Sequence, residues 1–561
     1  MSREDIIILL IFLSIIFLTA LAGYREKKSG ERKLRKKIKN DFGKKCPAKI
    51  SRDRMEYLSV QAGKRELTDC SYIDDISFND LDLDKIFLRL DHAYTAAGEE
   101  ALYNAFRHPL YDDAKIRELK KEADYYAESD RYGRLSFVLA SDPCGNNILS
   151  FSKHEIPSGL KLHFIAPILL LLSVFIIFLD VRAGVLILLA SMIINIAWYF
   201  FSKPAILPFM ELLGSVSGAV LSAKRLSSME KELFKDAPES ILARSVEMTE
   251  LSRSLEPFKK AAVFISSGAS KNSGFFSVFS DYINMLTHLD MIIFSLHADE
   301  LYRKSDECLR LREIIGRMEL PAILASFIKS LDGNICEPVF SDKEEASDIY
   351  HPLLNDPVAN TYAFDKPLLL TGSNASGKST FLKTCAVNMI FARTFGFACA
   401  KSFKTGMKRL YSSMSLRDDI TAGQSYFYTE ISAMKRILDA AAADKEHHLV
   451  CMVDEILRGT NTVERIAASS KVLEYMAANG TGCFAATHDI ELTQLLGESF
   501  EQYHFEEEID GMDVRFNYLI KEGPAKSRNA ILLLEGMGYD KDLVNAAGKR
   551  AEHFLKEGIW E

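Results

Sequence analysis

Residues Gly372-Ser-Asn-Ala-Ser-Gly-Lys-Ser-Thr380 follow the spacing G-x-x-x-x-G-K-[ST]. Glycines at the ends of such a loop let backbone N–H groups turn inward around phosphate oxygens. A lysine in the seventh place reaches the β- and γ-phosphates, and the hydroxyl after it holds Mg²⁺. Gly372, Ser373, Asn374, Ala375, Ser376, Gly377, Lys378, Ser379 and Thr380 are therefore assigned to nucleotide binding, with ATP and Mg²⁺ as the expected ligands. A second group is Asp454-Glu455, directly after the apolar run from His447 to Val453. A phosphate loop needs such a pair: Asp454 to hold Mg²⁺ through water, Glu455 to polarise the attacking water. His488 follows a third apolar run, Gly482 to Thr487. There it either contacts the γ-phosphate or orients water, or it starts a helix with its ring satisfied; position alone leaves the two level. The reaction expected of this set is hydrolysis of ATP to ADP and phosphate.

These side chains need strands that end where the chemistry is and a helix that points at it. Lys366 to Thr371 reads as a buried strand running into the loop. The helix after it, through Phe381, Leu382 and Ala386, directs its positive end at the phosphates. From about residue 341 short β-rich runs alternate with helical ones, as in an α/β domain. Before that point the chain is helical in pattern, with apolar residues spaced as Ile206, Met210, Leu213 and Val220. Asp80-Leu-Asp82-Leu-Asp84 has the wrong residues for a calcium loop, Lys85 in place of the glycine and Asp91 in place of the final Glu. It reads instead as acid near a helix start.

Taken together, these motifs closely resemble the ATPase domain of the MutS mismatch-repair family. Thr371 to Thr380 resembles that family's T-G-P-N-x-x-G-K-S-T, Asp454 to Thr462 its D-E-I-G-R-G-T-S-T, and Ala486 to Thr493 its A-T-H-x-x-E-L-T. Arg417 to Phe427 with Glu430, His351-Pro352 and Gly523 to Ser527 are similar to further motifs of that domain, so the resemblance spans about 345–540. A weaker resemblance, over 72–125, is to the family's helical core and lever. The resemblance gives His488 the family's histidine role beside Glu455. It also implies that Ser425 reaches the nucleotide of the opposite subunit, hence a homodimer with composite ATP sites. Two positions depart from the pattern: Leu457 stands for a glycine and Tyr426 for a threonine. No Phe-x-Glu mismatch-reading domain is found near the N-terminus, so mismatch reading itself is not implied.

The apolar residues are unevenly spread. Ile6 to Gly23 is a nearly unbroken apolar run, and a second block, Leu162 to Phe201, is interrupted only by Asp180-Val-Arg-Ala-Gly184. Each is long enough to cross a bilayer. Ser2-Arg-Glu-Asp5 is not basic, which disfavours a cleaved signal peptide, and Arg25 to Lys45 is strongly basic. Positive charge stays inside, so the N-terminus is expected outside and residue 24 onward in the cytoplasm. The domains expected are a transmembrane helix at 1–23, a basic juxtamembrane linker at 24–49, a helical core-like segment at 50–160, a transmembrane hairpin at 161–202, a helical core or lever segment at 203–340 and the ATPase domain at 341–561. The fold class is thus an α/β P-loop NTPase domain of the ABC/MutS type, with an α-helical core and transmembrane helices. The net charge of -8 argues against coating nucleic acid by overall charge, and no two of the nine cysteines stand at C-x-x-C spacing.

The leading expectation is a multi-pass membrane MutS-like ATPase with its ATPase domain cytoplasmic. Its partners would be ATP, lipid, a second copy of the chain and mismatched or structured DNA. Lys224, Arg225, Lys259, Lys260 and Lys271 are the candidates for DNA contact. The alternative is an ABC-like transport or remodelling ATPase without DNA. Against it, an L-S-G-G-Q signature is absent. A slow ATP-binding scaffold is disfavoured by the intact Glu455.

Overall fold

A computed structural model describes residues 21, 23–26, 28–45, 50–65, 69–141, 159–265, 275–373, 376–414, 426–443, 448–510, 513–525, 531, 534 and 538–559. The run 6–20, Asn374, Ala375, Lys271 and Ser425 lie outside them. Two compact units form: one from residues 1–45, 91–102 and 121–330, the other from 46–90, 103–120 and 331–561. The stretch 50–160 is thus divided between them.

Among the described residues the second unit holds ten strands: β1 Val339–Phe340, β2 Glu344–Ile349, β3 Asn360–Phe364, β4 Leu368–Thr371, β5 Ser402–Thr405, β6 Arg409–Ser413, β7 Leu449–Asp454, β8 Gly482–Thr487, β9 Glu501–Asp510 and β10 Asp513–Glu522. They form a four-stranded sheet, β1-β5-β2-β3, and a six-stranded sheet, β10-β9-β4-β8-β7-β6. In the larger sheet β9, β4, β8, β7 and β6 are parallel, and β10 closes the edge as an antiparallel hairpin with β9. All four residues of β4 are buried. Strands covered on both faces by helices have no polar side to alternate with, which is why they read as plain apolar runs.

Helix Lys378–Phe395 springs from the phosphate loop and ends at Gly396, φ +71°. A side chain there would meet Ile116 O at 3.1 Å. Arg393, in the last turn, is buried, with no carboxylate paired to it among the described residues. Its guanidinium donates to Leu110 O (3.2 Å), Pro109 O (3.3 Å), Ser71 Oγ (3.0 Å) and Lys408 O. Burial pulls its pKa down to about 10, so it stays charged at neutral pH. Arg393 therefore ties Ser71 and Pro109–Leu110 to the sheet. The same early segment reaches the larger sheet again. Asp80 accepts from Ser412 Oγ (2.7 Å) and Met414 N (3.0 Å), Asp74 pairs with Arg436, and Asp82 pairs with Lys383 of the phosphate-loop helix. The acidic run thus braces strand ends as well as starting the helix Leu83–Leu90.

The first unit is helical. Its core includes Ile206, Met210, Leu213 and Val220 as the helical spacing requires, all on one 48-residue helix, Val181–Ser228. Helix Ile165–Leu179 packs against the first part of it as a hairpin, closed where Asp180 accepts from Arg182 N (2.9 Å) and Ala183 N (3.1 Å). A side chain on Gly184 would meet Ile177 N at 2.4 Å, so this glycine sets how closely the arms approach. Most of the hairpin's other side chains face outward: Phe178 is 83% exposed and Phe201 87%. Two helical stretches, Leu160–Leu179 and Val181–Ser228, are long and apolar enough to cross a membrane. At the hairpin's base a polar knot is buried. Asn195 donates to Ala166 O (3.0 Å) and Leu286 O (2.8 Å), His288 Nε2 bonds Asn195 O (2.9 Å), and Tyr199 donates to Asp290 (2.8 Å).

Arg393→Met keeps the buried stem and removes every donor, leaving carbonyls unpaired. It is expected to destabilise the nucleotide unit by about 3 kcal/mol, read as a lower urea midpoint of the purified protein with an unchanged slope.

Candidate functional site

Phosphate-loop geometry is set by two glycines. Gly372 has φ +146° and Gly377 φ +105°, conformations costly to other residues. Between the described ends, Ser376 Oγ donates to Ser373 O (2.8 Å), and Lys378 Nζ donates to Gly372 O and Ser373 O (2.7 Å each). The ammonium thus folds back over the loop, where a phosphate would compete for it. Thr371, last in β4, accepts from Ala525 N (3.1 Å), and Gly523 N donates to Gln502 O (2.7 Å). The late motif beginning at Gly523 is therefore a backing for the loop.

β4 and β7 are not neighbours; β8 lies between them. The helix that follows β4 nonetheless meets the end of β7: Ser379 Oγ, in its first turn, donates to Asp454 Oδ2. Burial raises the pKa of Asp454, the Ser379 hydrogen bond lowers it and the adjacent Glu455 raises it again. A hydroxyl and a crowded, partly buried carboxylate are hard oxygen donors that fit Mg²⁺.

Glu455 is held from three sides. His488 Nδ1 approaches its Oε1 at 3.3 Å, Arg458 Nη1 its Oε2 at 3.1 Å, and its backbone N–H donates to Ala486 O (2.9 Å). The His488 hydrogen bond holds the Glu455 carboxyl below its ordinary pKa, and the same bond raises the His488 imidazole. Asp489, next to His488, takes both arms of Arg465 at 2.7 and 2.9 Å, which fixes the end of β8. The His488 ring thus lies against Glu455, the candidate water base.

The loop after β7 is strained. Glu455 and Leu457 have φ of +60° and +56°. A left-handed non-glycine residue costs roughly 1–2 kcal/mol. The departure noted at Leu457 falls on a position whose backbone suits glycine. Its side chain is buried in a core cluster with Ile456, Met434 and Leu473, which offsets the strain. Glu430, from helix Tyr426–Ala443, accepts from Gly459 N (3.0 Å) and Ser469 Oγ donates to Ile456 O (3.3 Å). Both brace that loop.

Beside the phosphate loop lies a pocket of about 490 Å³ lined by His351, Leu354, Val358, Lys378, Thr380 and Tyr518, among others. Tyr518 sits in a β-bulge of β10 at φ +55°. Asn360 fixes it from both sides, donating to Tyr518 O (3.0 Å) and accepting from Ile520 N (2.8 Å). Its ring edge lies 3.2 Å from where a Gly377 side chain would begin. Only a bulge, which no sequence periodicity announces, puts it there. Asn374, Ala375 and Ser425 lie outside the described residues, and nothing in the geometry bears on them.

Residues 368–555, from β4 to the last helix, match the family model of MutS domain V. This stretch of the chain is thus an ATPase domain of the MutS type. The match covers about a third of the chain's length and includes the phosphate loop, Asp454, Glu455, His488 and Tyr518, and the domain is of the P-loop ATPase class. The MutS reading of the sequence therefore rests on the part of the molecule where β4, β7 and β8 end together.

The His488–Glu455 pair gives a pH expectation. Glu455 as a base must be ionised. His488→Gln removes the group that holds its pKa down, so the acid limb of the kcat–pH profile should move to higher pH, Arg458 limiting the shift. An unmoved acid limb, with rate alone reduced, contradicts this pairing.

Proposed function

We propose that this chain is a membrane-anchored MutS-type ATPase that binds Mg²⁺-ATP in a dimer and uses hydrolysis to reset it. The observation that carries the reading is the convergence of Ser379, in the first turn of the helix after β4, with Asp454, Glu455 and His488 at the ends of the parallel strands β7 and β8. The backbone of Gly372 to Thr380 and Lys378 would cradle the phosphates, and Ser379 and Asp454 would hold Mg²⁺, which neutralises the transferring phosphoryl group when bound. Glu455 orients and deprotonates the attacking water; His488 and Arg458 keep it ionised and in place. The pocket at Tyr518 takes the base. Ser425 of one protomer would complete the site of its partner, as the family resemblance implies.

The outward-facing hairpin supports anchoring, with residues 6–23 as a further span. In the expected topology the nucleotide unit is cytoplasmic, where ATP is. DNA as the load rests on family membership. Among the expected contact residues, Lys224 pairs with Glu256, and Lys259 lies 3.8 Å from the same carboxylate, so neither is a bare basic patch.

Glu455→Gln should bind ATP yet lower turnover by about a hundredfold or more, accumulating as an ATP-bound dimer in light scattering. A monomer with ATP defeats the composite-site model. Tyr518→Ala should raise KM for ATP roughly three- to tenfold with kcat little changed, since a base contact is the same in ground and transition states. ATPase rates of the detergent-purified protein with homoduplex, mismatched and branched DNA test the load; indifference to all three removes DNA from the proposal.

A further inference from the structure

The basic linker is not a loose tether. Residues 28–41 form a helix, and it is docked. Leu34, Ile38 and Phe42, four residues apart, pack into the core of the helical unit, Ile38 only 1% exposed. Phe42 stacks on Tyr132 (4.2 Å), Arg35 lies over Phe137 (3.6 Å), and Gly43 N donates to Ser326 Oγ (3.2 Å).

That docking fixes which way the charges face. At about 100° per residue, Arg32, Lys33, Lys36, Lys37 and Lys39 all fall on the half-cylinder opposite Ile38, while Glu31 and Asp41 fall on the packed half. All five bases are exposed, and among the described residues none has a carboxylate partner. One face therefore carries a stripe of unneutralised positive charge with acid excluded from it. The contacts also give its direction. Residue 35 meets 137 and residue 42 meets 132, so the helix runs antiparallel to Ser129–Ser141. Its N-terminal end, fed by the apolar run 6–23, lies at the end from which Ser141 leads on towards the hairpin.

We infer that the outward face of helix 28–41 docks on the anionic headgroup surface of the membrane that receives the flanking apolar segments. The inference rests on the anchoring proposed above. Arg and Lys held at such a surface are attracted to phosphate and carboxylate headgroups and are released by salt. Rigid docking adds to this: the stripe is presented as a unit, where a flexible linker would have to be ordered first.

The test uses the full chain in vesicles of phosphatidylcholine alone, or of equal parts phosphatidylcholine and phosphatidylserine. Amine acetylation of Lys33, Lys36, Lys37 and Lys39 is read by mass spectrometry against exposed Lys549. Labelling should fall on the order of fivefold with phosphatidylserine and recover in high salt. The triple variant K33Q/K36Q/K37Q touches no nucleotide-site residue; it should keep its ATPase rate while Lys39 loses its protection. Equal labelling in both membranes overturns the inference, as does protection by duplex DNA in phosphatidylcholine alone. Anchoring is read separately, by retention in phosphatidylcholine vesicles after an alkaline wash, so a protein that washes off sinks the anchoring and leaves the lysine result to stand or fall alone.

Discussion

A hydrogen bond from Ser379 to Asp454 joins the start of the phosphate-loop helix, which follows β4, to the end of β7, a strand that the sheet holds one place away from β4. That span is the constraint on the nucleotide unit. β8 must lie flat and buried between β4 and β7, and its last residues must carry chemistry of their own, because the end of β8 is the nearest ground to both. Thr487 closes the strand, His488 turns to Glu455, and Asp489 is locked by Arg465. Packing, pairing and electrostatics all act on a few ångströms of strand end, and burial makes each of them matter more than it would in water.

The parts of this site legible in sequence were those written in local code. A phosphate loop needs glycine, lysine and a hydroxyl at fixed offsets, and a buried strand announces itself by unbroken apolar character. β4, β7 and β8 were therefore found, within two or three residues at their ends. What could not be read depends on distant partners. Tyr518 reaches the pocket through a bulge pinned by Asn360, some 160 residues earlier. Glu430 and Ser469 brace the loop after β7 from two separate helices. The docking of residues 28–41 was likewise hidden, since a short stripe of Leu34, Ile38 and Phe42 is outweighed by the surrounding lysines.

Leu457 shows a left-handed turn held by a residue other than glycine. The backbone is left-handed there although glycine, the residue that adopts this conformation freely, is absent from the position. Burial in the core beneath the loop supplies what conformational freedom no longer does. Such an exchange leaves the loop stiffer, because a buried leucine must leave its cavity before the turn can open, whereas glycine has nothing to withdraw.

The helix Val181–Ser228 is 48 residues long, about 72 Å at 1.5 Å per residue. Its first half lines the exposed apolar hairpin and its second half is the spine of the helical core. Pro204 and Pro208 fall where one becomes the other, and each leaves a backbone carbonyl without its helical partner. A rod with a joint at that place behaves as a boom on a gimbal. Rotations of a few degrees in the core are absorbed at the prolines or, where the joint stays straight, are carried to the far tip at Asp180 as displacements of several ångströms.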